Sequence, residues 1–491
     1  MFISKRWLNL AIVSSALFLI VVDITVLYTA LPRITHDLSA TASEKLWIVN
    51  AYGLVVAGLL PGTGSLSDRV GHRRMFLIGL VIFGFASIMA AYAFNPEILI
   101  IARVVLAIGA AVMMPATLSI IRLTFKSEQE QSVAFGIWSS VASGGAAIGP
   151  VFGGFLLSYF WWGSVFLVNV PVVIIAFVMT LWIVPEHQGN KQRKWDMVSS
   201  FQIMITLVAL VYLIKAIGMG NASSLTIIAS AGIFLFAGSL FLMRQRKSEE
   251  RLIDASLFCD VRFTAGVGAA LMASLAMSGV ELVFTQRLQL VLELTPLQAG
   301  FVILPLPIAA FVAGPLSGYL MTRLGGLFIM WSGLLVTALG LLILWMTYDG
   351  YMVGQALAML ILGFGIGAAM TAASGSIMMY APKDKAGMAA SVQEVSFEFG
   401  GALGIAILGS LMTAFYSASL TLSNAGAISA KVFDSLDQAL MISETLDTDM
   451  AETLLREARG AFDASFSLVI IVALGLTVIT ACAVMWAARR Q

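Results

Sequence analysis

Residues 64–74 read Gly-Ser-Leu-Ser-Asp-Arg-Val-Gly-His-Arg-Arg. An apolar run at 46–65 leads into this stretch and a second at 75–94 leaves it. Each run has the ~20 residues a helix needs to cross the hydrocarbon core. The arginines and aspartate between them belong in water. Such a pattern predicts two membrane-crossing helices joined by a tight basic turn, because only helices and closed barrels satisfy their backbone in lipid.

Working outward, the same test finds fourteen runs: 8–30, 46–65, 75–94, 97–119, 133–157, 164–184, 198–218, 224–243, 264–285, 298–320, 326–346, 353–373, 387–414 and 464–488. They are called spans one to fourteen below. Of the 491 residues, 59% are hydrophobic and 11% charged; soluble domains carry about 25% charged residues. So much apolar surface has to face lipid. The expected fold class is therefore all-α and polytopic. The basic stretch before span one reads as the flank of an uncleaved helix rather than a signal peptide.

Basic residues gather on the cytoplasmic side of membrane proteins. With the N-terminus placed inside, inside segments hold twenty of the 28 Lys and Arg, and outside segments hold five (Arg33, Lys45, Lys431, Arg456 and Arg459). Arg103, Lys215 and Arg287 fall in or at the ends of spans. A miscounted span would scramble this alternation, so fourteen spans with both termini cytoplasmic is the expected topology. Net charge is +1, which offers no basic field to nucleic acid.

Polar linkers at 185–197 and 244–262 bracket spans seven and eight. The expected organisation is a six-helix bundle (1–184), a two-helix insertion with its linkers (185–262) and a second six-helix bundle (263–491). The second bundle carries a long outside loop at about 415–463, rich in acids and regularly spaced leucines. That loop reads as amphipathic helical pieces, forming either a solvated cap or an acidic, mobile lid.

Gly318-Tyr-Leu-Met-Thr-Arg-Leu-Gly-Gly326 echoes the 64–74 stretch after span ten. Repeated halves mark transporters, whose sites lie near the midplane between them. Span five holds Gly145-Ala-Ala-Ile-Gly149-Pro150-Val-Phe-Gly153-Gly154, span four Arg103-Val-Val-Leu-Ala-Ile-Gly109, and span one Asp23-Ile-Thr-Val-Leu-Tyr-Thr-Ala-Leu-Pro32. Trp162 to Pro171, and Trp47-Ile-Val-Asn50-Ala-Tyr52, add to the pattern. Glycines four residues apart let helices approach closely, and Pro150 removes a backbone hydrogen bond.

Together these segments resemble the major facilitator superfamily, and within it the fourteen-span drug:proton antiporters. The resemblance implies a gate at Gly64, Asp68, Arg69, Gly71 and Arg73. It implies a hinge at Gly145, Gly149, Pro150, Gly153 and Gly154, and a buried arginine at Arg103. Leu106 and Ala107 depart from the buried-arginine pattern, which weakens that local match but not the charge argument; Gly163 and Asn50 also depart from the family pattern, so the substrate range can differ. Also implied are a monomer in the bacterial inner membrane, without cofactor or metal, exporting quaternary ammonium compounds, biguanides and dyes.

Ionisable groups inside the membrane are costly and call for a reason. Four acids qualify: Asp23 in span one, Glu281 towards the outer end of span nine, and Glu394 with Glu398 one helical turn apart in span thirteen. A carboxylate out of water holds its proton more readily, and more so beside a like charge. When ionised it attracts a lipophilic cation. The expected scheme makes Asp23 the main proton-coupling acid, with Glu394 and Glu398 binding cations and adding a proton step. Glu281 is a further substrate contact. A structural salt bridge, to Arg103, Lys215 or another partner, is the competing reading for each.

Trp47, Tyr52, Trp138, Phe397 and Phe399 are candidates for the cation path, since cations dock on aromatic faces. Two other functions stay open: an ion-coupled importer of the same fold, and a membrane-embedded enzyme. The second finds no His-Glu-x-x-His and no Gly-x-Ser-x-Gly in the chain.

Overall fold

The computed structural model describes residues 5–38, 40, 42–186, 189, 196–218, 223–248, 251, 254–350, 352–382, 385–421, 430–433 and 435–489. His187, Lys191, Arg193, Lys194, Lys383 and Arg490 lie outside the described residues, as do the side chains of Pro32, His36, Lys45, Lys215 and Lys431.

Among the described residues, fourteen helices are long and apolar enough to cross a membrane. They run Lys5–Leu31, Trp47–Val70, His72–Ala91, Pro96–Thr124, Val133–Tyr159, Ser164–Ile183, Met197–Ile214, Ser224–Lys247, Val261–Val291, Leu297–Leu324, Gly326–Thr347, Met352–Tyr380, Met388–Ser419 and Thr448–Arg489. Helix starts follow local chemistry. Asn95 Oδ1 accepts the Ile98 N–H at 2.8 Å with Pro96 at the first helical position, and Thr295 with Gln298 forms a capping box before Leu297. Both are strong start signals.

The two halves pack by the same rules. In each, the first helix lies on the fifth, the second on the fourth, and the third on the fourth and sixth (spans one to six and nine to fourteen). Span two ends at Gly71 and span ten at Gly325, with φ of 103° and 86°. Only glycine enters that region without strain. A Cβ added at Gly79 would sit 2.9 Å from the Gly109 carbonyl oxygen, and one at Gly333 would sit 3.0 Å from that of Gly365. The repeat legible in one short motif is thus written again in glycine contacts between third and fourth helices.

The halves meet through their second and fifth helices. Span two packs on span thirteen, and span five on span ten. Span seven covers the first of these seams. Its Val211 is buried with Leu54 of span two and Ala406 of span thirteen, with Phe399 beside them. Phe399 therefore packs on span seven.

Span fourteen begins sixteen residues before the predicted start at 464. The extra turns place Leu454, Ala458, Ala461 and Phe462 on one buried face, a helical stripe that continues the apolar seam. Together with the short helix Leu436–Ser443, whose Leu436 and Ala439 are buried in the same cluster, these turns form a cap packed onto the second half. Asp434 lies outside the described residues.

Candidate functional site

Asp23 and Arg103 come together deep between spans one and four. Arg103 Nη1 donates to Asp23 Oδ2 at 2.5 Å, and the side chains are 1% and 0% exposed. Asn169 Nδ2 of span six donates to Asp23 Oδ1 at 3.0 Å. Arg103 Nε reaches the Ile48 carbonyl at 3.3 Å, and its guanidinium lies 4.5 Å from the centre of the Tyr52 ring. The salt bridge that competed with a proton-coupling role is thus what the geometry displays at Asp23. Burying both charges is costly, and hydrogen bonds from Asn169 to Asp23 and from Arg103 to the Ile48 carbonyl help to offset it.

A cavity of about 210 Å³ opens beside this pair, between the halves. Ile24, Tyr28, Asn50, Tyr52 and Arg103 line one side; Ser274, Ser278, Phe397 and Glu398 line the other. Asp23 cancels the charge of Arg103, so Glu398 sets the sign of the cavity. Its Oε2 lies close to the Gly53 backbone, where a Cβ would stand 3.9 Å away. Glu398 makes no ion pair with any described side chain. The buried Tyr52 hydroxyl has no partner among the described residues. A concave, largely apolar space with a few convergent polar groups is what a small-molecule site requires.

Glu394 is 2% exposed and lies one turn from Glu398. Gln393 Nε2 approaches its Oε1 at 3.5 Å. It stands in the field of Glu398 but outside the cavity wall. Glu281 is partly exposed and lines a small apolar pocket inside the second half. Two expected aromatics are elsewhere. Trp47 is 36% exposed and Trp138 is buried, and neither lines the cavity. Tyr28, Ser274 and Ser278 do line it and were missed. Tyr28 sits one helical turn from Ile24, the spacing that marks a shared face.

The 64–74 motif holds its own half together. Ser67 Oγ and His72 Nδ1 are 2.8 Å apart. Arg73 Nη2 donates to the Leu181 carbonyl at 2.6 Å, and Arg74 pairs with Glu186 at 2.6 Å. Asp68 lies 3.8 Å from His72, and Arg69 is exposed. Gly64 is buried within span two. Among the described residues, Arg73 and Arg74 therefore grip the end of span six.

In span five the glycines seat span one. Added Cβ atoms would stand 3.3 Å from Val21 at Gly145, 1.8 Å from Thr25 Oγ1 at Gly149, and 2.9 Å from Val26 at Gly153. Gly154 turns to Leu297, and Pro150 lies against Gly300 of span ten. Span five is thereby sandwiched between the helix carrying Asp23 and the opposite half.

The sequence model described as "Major Facilitator Superfamily" matches residues 13–405. The chain is 37% identical over 466 residues to the methyl viologen resistance protein SmvA of Salmonella typhimurium, covering 93% of each chain. It is 35% identical to the multidrug efflux pump LfrA of Mycolicibacterium smegmatis, covering 99% of this chain and 97% of that one. Among solved structures it is similar to the human organic anion transporter MFSD10 (TETRAN), with a TM-score of 0.61 at 13% identity, covering 97% of this chain and 100% of that one. That likeness speaks for the fold. On this sequence match and this architecture, the chain belongs to the Major Facilitator Superfamily.

Proposed function

We propose that the protein is a proton-coupled multidrug exporter of lipophilic cations, working by alternating access as a monomer in the bacterial inner membrane. Both termini would face the cytoplasm and the cap the outside, as the basic residues indicate. The single observation that carries the reading is Glu398, a carboxylate with no described cationic partner, facing a cavity walled by Tyr28, Tyr52 and Phe397. Quaternary ammonium compounds, biguanides and cationic dyes fit such a wall, through charge and through aromatic faces. The names of SmvA and LfrA support export.

Coupling follows from competition. Glu398, with Glu394 a turn away, holds either a proton or a cation at one time, so entry of one expels the other. Asp23 does its part paired with Arg103. It neutralises the arginine, leaving the cavity open to cations, and a proton on Asp23 would free Arg103 to repel one. The six-plus-two-plus-six organisation lets the two halves rock about spans two, five, ten and thirteen, with span seven sealing one seam.

The test is transport in everted vesicles of a pump-deficient host, with ethidium as the probe. Energised vesicles, acid inside, should accumulate ethidium and release it when the proton gradient collapses. Uptake unaffected by the gradient, or inward movement in whole cells, would favour the importer instead.

A further inference from the structure

The pocket at Glu281 is separate from the inter-half cavity. It lies within the second half, walled by Val280, Phe284, Leu306, Leu341, Met359 and Leu362. Its volume is about 10 Å³, room for about one water and for no drug. Glu281 makes no ion pair with any described side chain. Spans ten, eleven and twelve bring no titratable group to this wall; their one polar contribution is Thr337. Tyr28 of span one lines the inter-half cavity rather than this wall, and it feels the field of Glu281, Glu398 and Arg103.

Towards the cap, this pocket runs into a second buried charge. Phe284 stacks on Phe466 with ring centres 6.0 Å apart, and Phe466 meets Tyr348 at 5.6 Å. Arg287 lies over both rings, at 5.1 Å from Tyr348 and 5.5 Å from Phe466. Its side chain is 1% exposed, and its Nε donates to Asp463 Oδ1 at 2.7 Å. The Arg287 Nη1 has no partner among the described residues. At this point span nine loosens into a π-helical turn, Arg287–Val291, a distortion that recurs at functional sites. Asp463 is 26% exposed and belongs to the extra turns of span fourteen. Next along the cap, Arg459 pairs with Glu293. From Glu281 to cap water the order is therefore carboxylate, aromatic stack, buried arginine, half-exposed aspartate.

We infer that Glu281 is a proton-only site of the transport cycle, reached from the cap face through the Arg287–Asp463 pair, while drug is held apart in the inter-half cavity. The inference rests on the proposed proton coupling and deepens it. Closed, the ion pair blocks the aromatic stack; parted, it lets water carry a proton to Glu281. The cap is then the outer door of the proton route.

The experiment uses the full-length protein in liposomes with ethidium as the probe. Four readouts are taken: ethidium binding, ethidium exchange at equal pH, ethidium uptake driven by a pH difference, and drug-free proton leak reported by a trapped pH dye. Glu281→Gln should keep binding and exchange within about twofold of the parent and lose about tenfold or more of the pH-driven uptake, a split that separates binding from coupling. Asp463→Asn should raise the proton leak, and Glu281→Gln added to it should return the leak to the parent level. Loss of binding or exchange in Glu281→Gln overturns the proton-only assignment. A leak unchanged in Asp463→Asn, or not returned by the double variant, overturns the route. If the parent itself shows no pH-driven uptake, it is the proposed function that fails, not this assignment.

Discussion

Arg103 Nη1 and Asp23 Oδ2 stand 2.5 Å apart with both side chains sealed from solvent, although eighty residues separate them in the chain. This pair turns what would be a positive cavity wall into a neutral one. It also sets the first expectation. Asp23→Asn leaves Arg103 buried and uncompensated, which costs about 3–5 kcal/mol. The detergent-purified variant should melt well below the parent and transport nothing. Asp23→Asn combined with Arg103→Met should recover much of the lost stability, since neighbouring groups are strongly non-additive. A single variant as stable as the parent would mean the charges are not coupled.

Glu398 and Glu394 should separate in binding. Glu398 faces the cavity and Glu394 does not. Glu398→Gln removes the charge that sets the sign of the site, so ethidium affinity should fall about tenfold, or about 1.4 kcal/mol. Glu394→Gln should change affinity by less than about threefold while still lowering proton-driven uptake. Equal losses of affinity in both would contradict the cavity assignment.

Gly149 has no room for a methyl group. A Cβ there would lie 1.8 Å from Thr25 Oγ1 and 2.7 Å from Thr25 Cβ. Gly149→Ala must push span one away from span five, and overpacking of this kind costs about 1–3 kcal/mol. Thr25→Ala in the same chain should restore part of the loss. Gly475 meets nothing within 4 Å, so Gly475→Ala serves as the control and should behave as the parent in thermal melts and in dye efflux.

Gly71 and Gly325 should respond alike. Each turns its chain at positive φ with extended ψ, where a side chain costs about 1–3 kcal/mol. Gly71→Ala and Gly325→Ala should lower the melting temperature by similar amounts. A large effect at one and none at the other would break the structural equivalence of the two turns.

Lys385 Nζ holds Asp254 Oδ2 at 2.5 Å, tying the second linker to the turn before span thirteen. The hydrogen bond from Lys385 keeps the Asp254 carboxyl down at about 2. A depressed folded value means the stabilisation is present above the unfolded value near 3.9 and is lost as pH falls through about 2. Asp254→Asn should therefore cost the same small amount, under about 1 kcal/mol, at pH 5 and at pH 8. A penalty that disappears by pH 5 would show that the latch is not formed as described.

The number of long apolar helices and the class of fold were legible along the chain. Hydrocarbon thickness imposes a fixed length on each apolar run, and arginine placement follows a one-sided rule, so both are written locally. The same local logic located Asp23, Glu281, Glu394 and Glu398, because a charge inside an apolar run stands out whatever surrounds it. It also exposed one echo of the repeat, in Gly71 and Gly325. What each acid faces was not local. Asp23 is answered by Arg103 and Asn169, Glu398 by an open cavity, and Glu281 by a small apolar pocket below Arg287 and Asp463. Helix packing set these surroundings, because a carboxylate's partner depends on distances between helices remote in the chain, which no periodicity encodes. The same reason explains Trp47 and Trp138, whose residue type suited a cation path that their positions in the packed bundle do not reach.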